Sequence, residues 1–237
     1  MTTARTNTMK LSKQTMAILK SMAGINSNIH ILPGNELVSV SPGRNIMFRS
    51  TVEEDFPTEF ALWDLSQFLG TYSLFSDAEI EFRDTALRIK SGRQTCEYHY
   101  ADPRLVEGCR PPSKFNLPEV KVVFELSQQE LNDILRASSV LQLPDILFTN
   151  DGDKVKIIAL DKEKPSSTNK YEIEVVPSDM DVNSSFKIYL KSDNLKILPG
   201  DYEISLCEKL ALTMNHKNID AKYTLAVTSD SVYNGLV

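Results

Sequence analysis

Counting from Leu11, the residues Thr15, Ile18, Leu19 and Met22 follow at four, seven, eight and eleven positions. That spacing is the apolar stripe of an amphipathic helix and predicts one over Leu11–Ala23. Ser12 is placed to cap its start and Gly24 to end it. Lys10, Lys13 and Lys20 fall on the face opposite the stripe. The pattern then changes to short alternating or apolar runs at Ile29–Leu32, Glu36–Val40, Asn45–Thr51 and Glu59–Trp63. Pro33-Gly34 and Pro42-Gly43 separate the first three, as turn signals do. A short apolar helix is expected at Leu65–Phe75, then strands at Ala78–Phe82, Ala86–Lys90 and Gln94–Tyr100.

The same plan returns. Val120–Glu125 reads as a strand leading into a helix at Ser127–Val140. Strands follow near Asp145–Thr149, Val155–Leu160, Lys170–Val176 and Ser185–Leu190, then a short helix near Ser192–Leu198. Pro199-Gly200 opens a last meander of Asp201–Cys207, Ala211–Asn215 and Lys222–Thr228. Residue identity supports the repeat. LSKQTMAILK (Leu11–Lys20) pairs with LSQQELNDILR (Leu126–Arg136), and FALWDLSQFL (Phe60–Leu69) with FKIYLKSDNL (Phe186–Leu195), in the same order. One unit therefore occurs twice. Each copy reads as α+β, with two helices on antiparallel sheet.

Between the copies, Ala101–Pro118 holds four prolines and no sustained period, and suits an extended connector. The expected organisation is a disordered polar opening at 1–8 (Met9 being a candidate true start), a first domain at 9–100, the connector at 101–118 and a second domain at 119–237. Asp161–Asn169 reads as an exposed loop.

Charge changes the picture. The chain is acidic, at −6, yet its first acidic residue is Glu36. Arg5, Lys10, Lys13 and Lys20 precede it, so a basic segment is segregated from an acidic remainder. A single basic helix is ordinarily a solvated face; its recurrence as a repeated helix is what gives it weight.

Chemistry is sparse. There is no P-loop, G-x-S-x-G or HExxH motif, and nothing argues for an enzyme. Cys96-x-x-His99 could offer two metal ligands, but both fall on one predicted strand without a partner pair, so two ordinary strand residues is the preferred reading. Glu53-Glu54-Asp55 and Asp151-Gly152-Asp153 read as solvated acidic turns. No cofactor or metal is expected. Three cysteines at irregular spacing suit a reducing compartment, and the lack of a long apolar run or signal peptide suits a cytoplasmic protein without membrane contact.

MKLSKQTMAILKSMAGINS (Met9–Ser27), ALWDLSQFLGTYSL (Ala61–Leu74), Leu126–Gln142 and LKILPGDY (Leu195–Tyr202) carry a closer likeness. In them the chain resembles the T4-type bacteriophage DNA polymerase sliding clamps, the processivity factors of replication. The resemblance runs from Met9 to the C-terminus. It implies a DNA-clamp fold assembled as a homotrimeric ring around double-stranded DNA, with sheets pairing across subunit edges, held without sequence specificity, tethering the replicative DNA polymerase and loaded by an ATP-driven clamp loader. On that footing Lys10, Lys13 and Lys20 face DNA, joined by Arg136 on the second helix and, less strongly, by Lys191 and Lys196. The face around Arg136 is otherwise neutral or acidic, with Gln129, Asn132, Asp133 and Ser139. The same resemblance implies partner tails docking beside the connector, where Leu105, Val106, Phe115 and Leu117 would form the apolar wall; the alternative is that these side chains pin the connector onto the sheets. The alternative of another class is a non-enzymatic phage structural or assembly protein.

Overall fold

The chain enters its first helix through a two-residue strand. The computed structural model describes residues 8–106, 110, 119–164, 169–180, 184–207 and 211–233. It divides into two units, Met1–Gly43 with Met47–Ser113 and Arg44–Ile46 with Lys114–Val237.

The first unit holds β1 (Thr8–Met9), α1 (Lys13–Ile25), β2 (Ile29–Ile31), β3 (Gly34–Val40), β4 (Ile46–Phe56), β5 (Phe60–Leu62), α2 (Leu65–Ser73), β6 (Glu79–Phe82), β7 (Ala86–Ser91) and β8 (Gln94–His99). Its antiparallel sheet runs β1-β6-β7-β8, with a β2-β5 pair and a β3-β4 hairpin beside it. Along β4 the residues Phe48, Ser50, Val52 and Phe56 are buried while Arg49, Thr51, Glu53 and Asp55 are exposed. This is the period-two signature of a strand with one face inward. The ring of Phe60 lies 6.0 Å from Phe56, 5.7 Å from Phe82 and 5.5 Å from Tyr100, so four aromatics from separate segments share one core.

α1 buries Thr15, Ile18, Leu19, Met22 and Ile25, which is the stripe the spacing predicted carried one turn further. Ser12 caps it, its hydroxyl accepting from the Thr15 N–H. Two boundaries differ from expectation. Lys10 and Leu11 lie ahead of the helix, because the cap at Ser12 fixes its start at Lys13. Gly24 does not end it; Asn26 does, donating its N–H to the Met22 carbonyl and its side-chain amide to the Val40 carbonyl at 2.8 Å. Thr8, assigned from sequence to a disordered opening, pairs with Glu81 in β1.

The second unit holds β9 (Val120–Leu126), α3 (Gln128–Leu141), β10 (Asp145–Asp151), β11 (Lys154–Leu160), β12 (Tyr171–Val175), β13 (Pro177–Met180), β14 (Phe186–Lys191), β15 (Tyr202–Cys207), β16 (Ala211–His216), β17 (Ala221–Ala226) and β18 (Val232–Tyr233). Its strands form two antiparallel arrays, β12-β11-β10-β14-β18 and β13-β9-β15-β16-β17. The duplication recurs in this topology. β9-β15-β16-β17 matches β1-β6-β7-β8, and β10-β14 matches β2-β5.

β18 has no counterpart among the described strands of the first unit, and one helix also departs from the match. The second short helix is a single 3-10 turn, Ser192–Leu195, where the first unit has the nine-residue α2. Pro199 follows only four residues after that turn and biases Leu198 toward extended backbone, leaving no room for another turn. Leu195 is still buried, as its counterpart Leu69 is, so the anchoring contact survives the shortening.

Candidate nucleic-acid interface

Of the three lysines at and before α1, two have no carboxylate partner among the described residues. Lys13 and Lys20 are exposed on α1, and neither has an ion-pair partner among the described residues. They lie seven residues apart, hence about 10.5 Å along the axis on nearly one azimuth. Lys10 is different. Its ammonium binds both carboxylate oxygens of Asp77, at 2.8 and 2.9 Å, and that hydrogen bond holds its pKa above the ordinary lysine value. Lys10 thus belongs to a staple at the helix start. The adjoining Leu11 N–H donates to the Tyr72 hydroxyl, which donates in turn to the Ala78 carbonyl.

On α3, Arg136 is exposed and has no carboxylate partner among the described residues. The helix start is closed by a capping box between Ser127 and Glu130, while Asp201 accepts from the Gln128 N–H at 2.8 Å. Around Arg136 the exposed residues are Gln129, Asn132, Ser139 and Val140, and the half-buried Asp133 one turn earlier sets a negative charge beside it. Gln129 donates its amide to Asp133 at 3.0 Å, which ties up that carboxylate's nearest polar neighbour.

The two remaining basic candidates are engaged. Lys191 reaches the fully buried Asp145 at 2.7 Å, and the bond raises the lysine pKa. Asp145 also accepts from the Lys162 N–H, so the lysine completes a buried acceptor set. Lys196 pairs with Asp193 at 2.7 Å, one turn earlier.

At the connector, Leu105 sits in a 3-10 turn, Pro103–Leu105, and is 68% exposed. Val106 is 2% exposed, packed with Ala61 and Ala101, and cannot offer surface to a partner. The Ala101 N–H donates to the Ala61 carbonyl at 2.8 Å, which brings this strand end and the connector together. Phe115 and Leu117 lie outside the described residues. Cys96 and His99 sit on β8, and no cluster of three or more possible metal ligands occurs among the described residues.

Sequence reasoning missed Glu54. It lies within β4, not in a turn, on the inward parity of Phe48, Ser50, Val52 and Phe56. One carboxylate oxygen accepts from the Ser12 N–H and the other from the Thr15 hydroxyl. The alternation along β4 was the signal that could have found it.

These features belong to a known class. A solved proliferating cell nuclear antigen from Entamoeba histolytica superposes with a TM-score of 0.68 at 12% identity, covering 90% of this chain and 94% of that one. The A. fulgidus homologue, solved with the C-terminal region of FEN-1 bound, gives 0.67 at 15% identity, covering 92% and 96%. The fold is therefore that of the DNA clamps. The family model described as "gp45 sliding clamp, C terminal" matches residues 123–229. The sliding clamp of Escherichia phage RB69 is 30% identical over 231 residues, spanning 95% of this chain and all of that protein. The chain belongs to the phage sliding-clamp family.

Proposed function

We propose that this protein is a processivity clamp that closes as a homotrimeric ring around duplex DNA and tethers the replicative polymerase without catalysing a reaction itself. The observation that carries the reading is the pair of carboxylate-free ammonium groups, Lys13 and Lys20, on the outward face of a helix whose other face is buried. Flexible lysines attract phosphates without reading bases, and such contacts are weak enough to slide. Ring topology then prevents escape, and the acidic remainder of the chain discourages DNA elsewhere.

Edge strands supply a route to closure. β8 ends the sheet of the first unit and β12 ends one array of the second. Beside β12 is a groove of about 410 Å³ lined by Ala137, Val140, Leu141 and Tyr171 together with the charged Asp133 and Arg136, a mixed surface on which a neighbouring copy could seat. A heterologous contact of this kind closes into a ring when the rotation allows. Leu105, exposed at the start of the 101–118 connector, supports partner docking there, with Phe115 and Leu117 as further wall residues. The domains are read as 9–100 and 119–237. An ATP-dependent clamp loader would supply the energy for opening, and the working compartment would be the host cytoplasm. No helix among the described residues is long and apolar enough to cross a membrane.

The test is processive synthesis on primed circular DNA with Lys13→Glu/Lys20→Glu. Both residues are exposed, so the fold should hold while product length falls sharply. Unchanged product length from a folded variant would count decisively against this face as the DNA track.

A further inference from the structure

An acid close to a DNA-facing helix works against phosphate attraction, so its presence needs a physical reason. Glu54 is half-buried on the inner face of β4 and has no cation partner among the described residues. Both of its oxygens are used at the start of α1, by the Ser12 N–H and the Thr15 hydroxyl. Thr15 is fully buried, and its own N–H donates to the Ser12 hydroxyl at 3.1 Å. α1 has no acidic residue in its first turn, whereas α3 carries its own Glu130 there. A carboxylate at a helix N-terminus satisfies orphan donors and meets the positive end of the dipole. In the first unit a strand provides that group from 42 residues away.

We propose that Glu54 is a positioning residue for DNA contact: by holding the first turn of α1 to β4 it sets the direction in which Lys13 and Lys20 project. The proposal rests on the reading of α1 as the DNA-facing helix. Leverage makes the anchor matter. Lys20 lies about 10.5 Å beyond the first helical residue, so a tilt of about 10° at the start moves its backbone by roughly 2 Å. That is the difference between reaching a phosphate and missing it.

The sign of the effect separates positioning from simple charge. Glu54→Ala removes the anchor and one negative charge. Through-space electrostatics alone predicts tighter DNA binding, and positioning predicts weaker binding. Glu54→Gln keeps the shape and both hydrogen bonds, since the Thr15 hydroxyl can reverse its role, while losing the charge.

The measurement is binding of a short fluorescent duplex to the assembled protein by anisotropy, as a function of salt, with thermal unfolding recorded in parallel. We expect Glu54→Ala to lower the association constant by about eightfold at 0.1 M salt for each phosphate that a lysine no longer reaches, with a correspondingly shallower salt slope. Glu54→Gln should restore the wild-type slope. Equal or tighter binding by folded Glu54→Ala, or failure of Glu54→Gln to restore the slope, overturns the proposal. If Glu54→Ala does not fold, Thr15→Val, which removes one of the two donors to the carboxylate, takes its place: a flattened slope is expected, and a wild-type slope overturns the proposal. Lys13→Ala/Lys20→Ala in the same assay keeps the two readings apart. If that variant leaves the slope unmoved, the DNA track itself is wrong; if it moves the slope and Glu54→Ala does not, only the role of Glu54 falls.

Discussion

Removing the two free ammonium groups of α1 gives a number that can be worked out beforehand. Lys13 and Lys20 stand about 10.5 Å apart along the helix. That is comparable with the screening length of about 8–10 Å at ordinary ionic strength, so the two act nearly independently. With phosphates about 3.4 Å apart along each strand, they address groups roughly three apart. Each neutralised phosphate contributes about 0.9 to the slope of log K against log salt. A ring of three would bring six such lysines to the duplex, so Lys13→Ala/Lys20→Ala should flatten the slope by up to about 5. If only one protomer faces the backbone at a time, the change should still be about 2. The assay is duplex anisotropy from low to physiological salt on protein whose assembly is checked by mass. Lys196→Ala is the control, because that ammonium group already answers the exposed Asp193. A slope unchanged in the α1 variant, or equally reduced in the control, would refute the argument that freedom from local carboxylates marks the DNA-facing residues.

Further expectations follow from the same geometry. Assembly is read by mass and negative-stain imaging at high concentration: a three-subunit ring with an open centre is expected, and a persistent monomer would remove the mechanism. Gly200→Ala should destabilise the second unit, since a Cβ there would lie 2.0 Å from Nε2 of His216. That ring is pinned by donating to the Pro199 carbonyl and accepting from the N–H groups of Asn218 and Ile219, so it cannot yield cheaply. The cost is about 3 kcal/mol, from overpacking together with a broken hydrogen bond, and it should appear as a urea midpoint lowered by about 1 M.

Asp230 has its pKa held below the usual carboxylate range by the Thr228 hydroxyl first and Lys162 second. Its contribution is therefore present above the unfolded carboxylate pKa of about 4 and lost as pH falls through the lower folded value. Asp230→Asn should cost only about 0.5 kcal/mol at neutral pH, because the pair is half-exposed and screened. The difference from wild type should shrink on acidification, as followed by urea unfolding. At the connector, Val106→Ala should cost about 1–3 kcal/mol in thermal unfolding while Leu105→Ser costs almost nothing yet weakens capture of a polymerase-tail peptide. Equal stability losses would contradict the division into an inward and an outward residue.

The amino-acid sequence by itself determined the local elements and their duplication. Helical spacing placed the buried stripe of α1, and turn dipeptides separated the strands, because both signals live within a few residues of each other. It also placed the basic face, since which side of a helix a lysine leaves from follows from its distance in residues. Lys196 and Asp193 lie one helical turn apart, within reach of the same reasoning, yet the resemblance assigns Lys196 to DNA. Only the tertiary structure decided which cations are free. Lys10 meets Asp77 from 67 residues away and Lys191 meets Asp145 from 46, distances at which no sequence period operates. The inward rotation of Val106 and the service of Glu54 at the start of α1 have the same origin. Each depends on which side chain arrives from a remote strand, and burial there reverses what exposure-based reading expects of a valine or a glutamate.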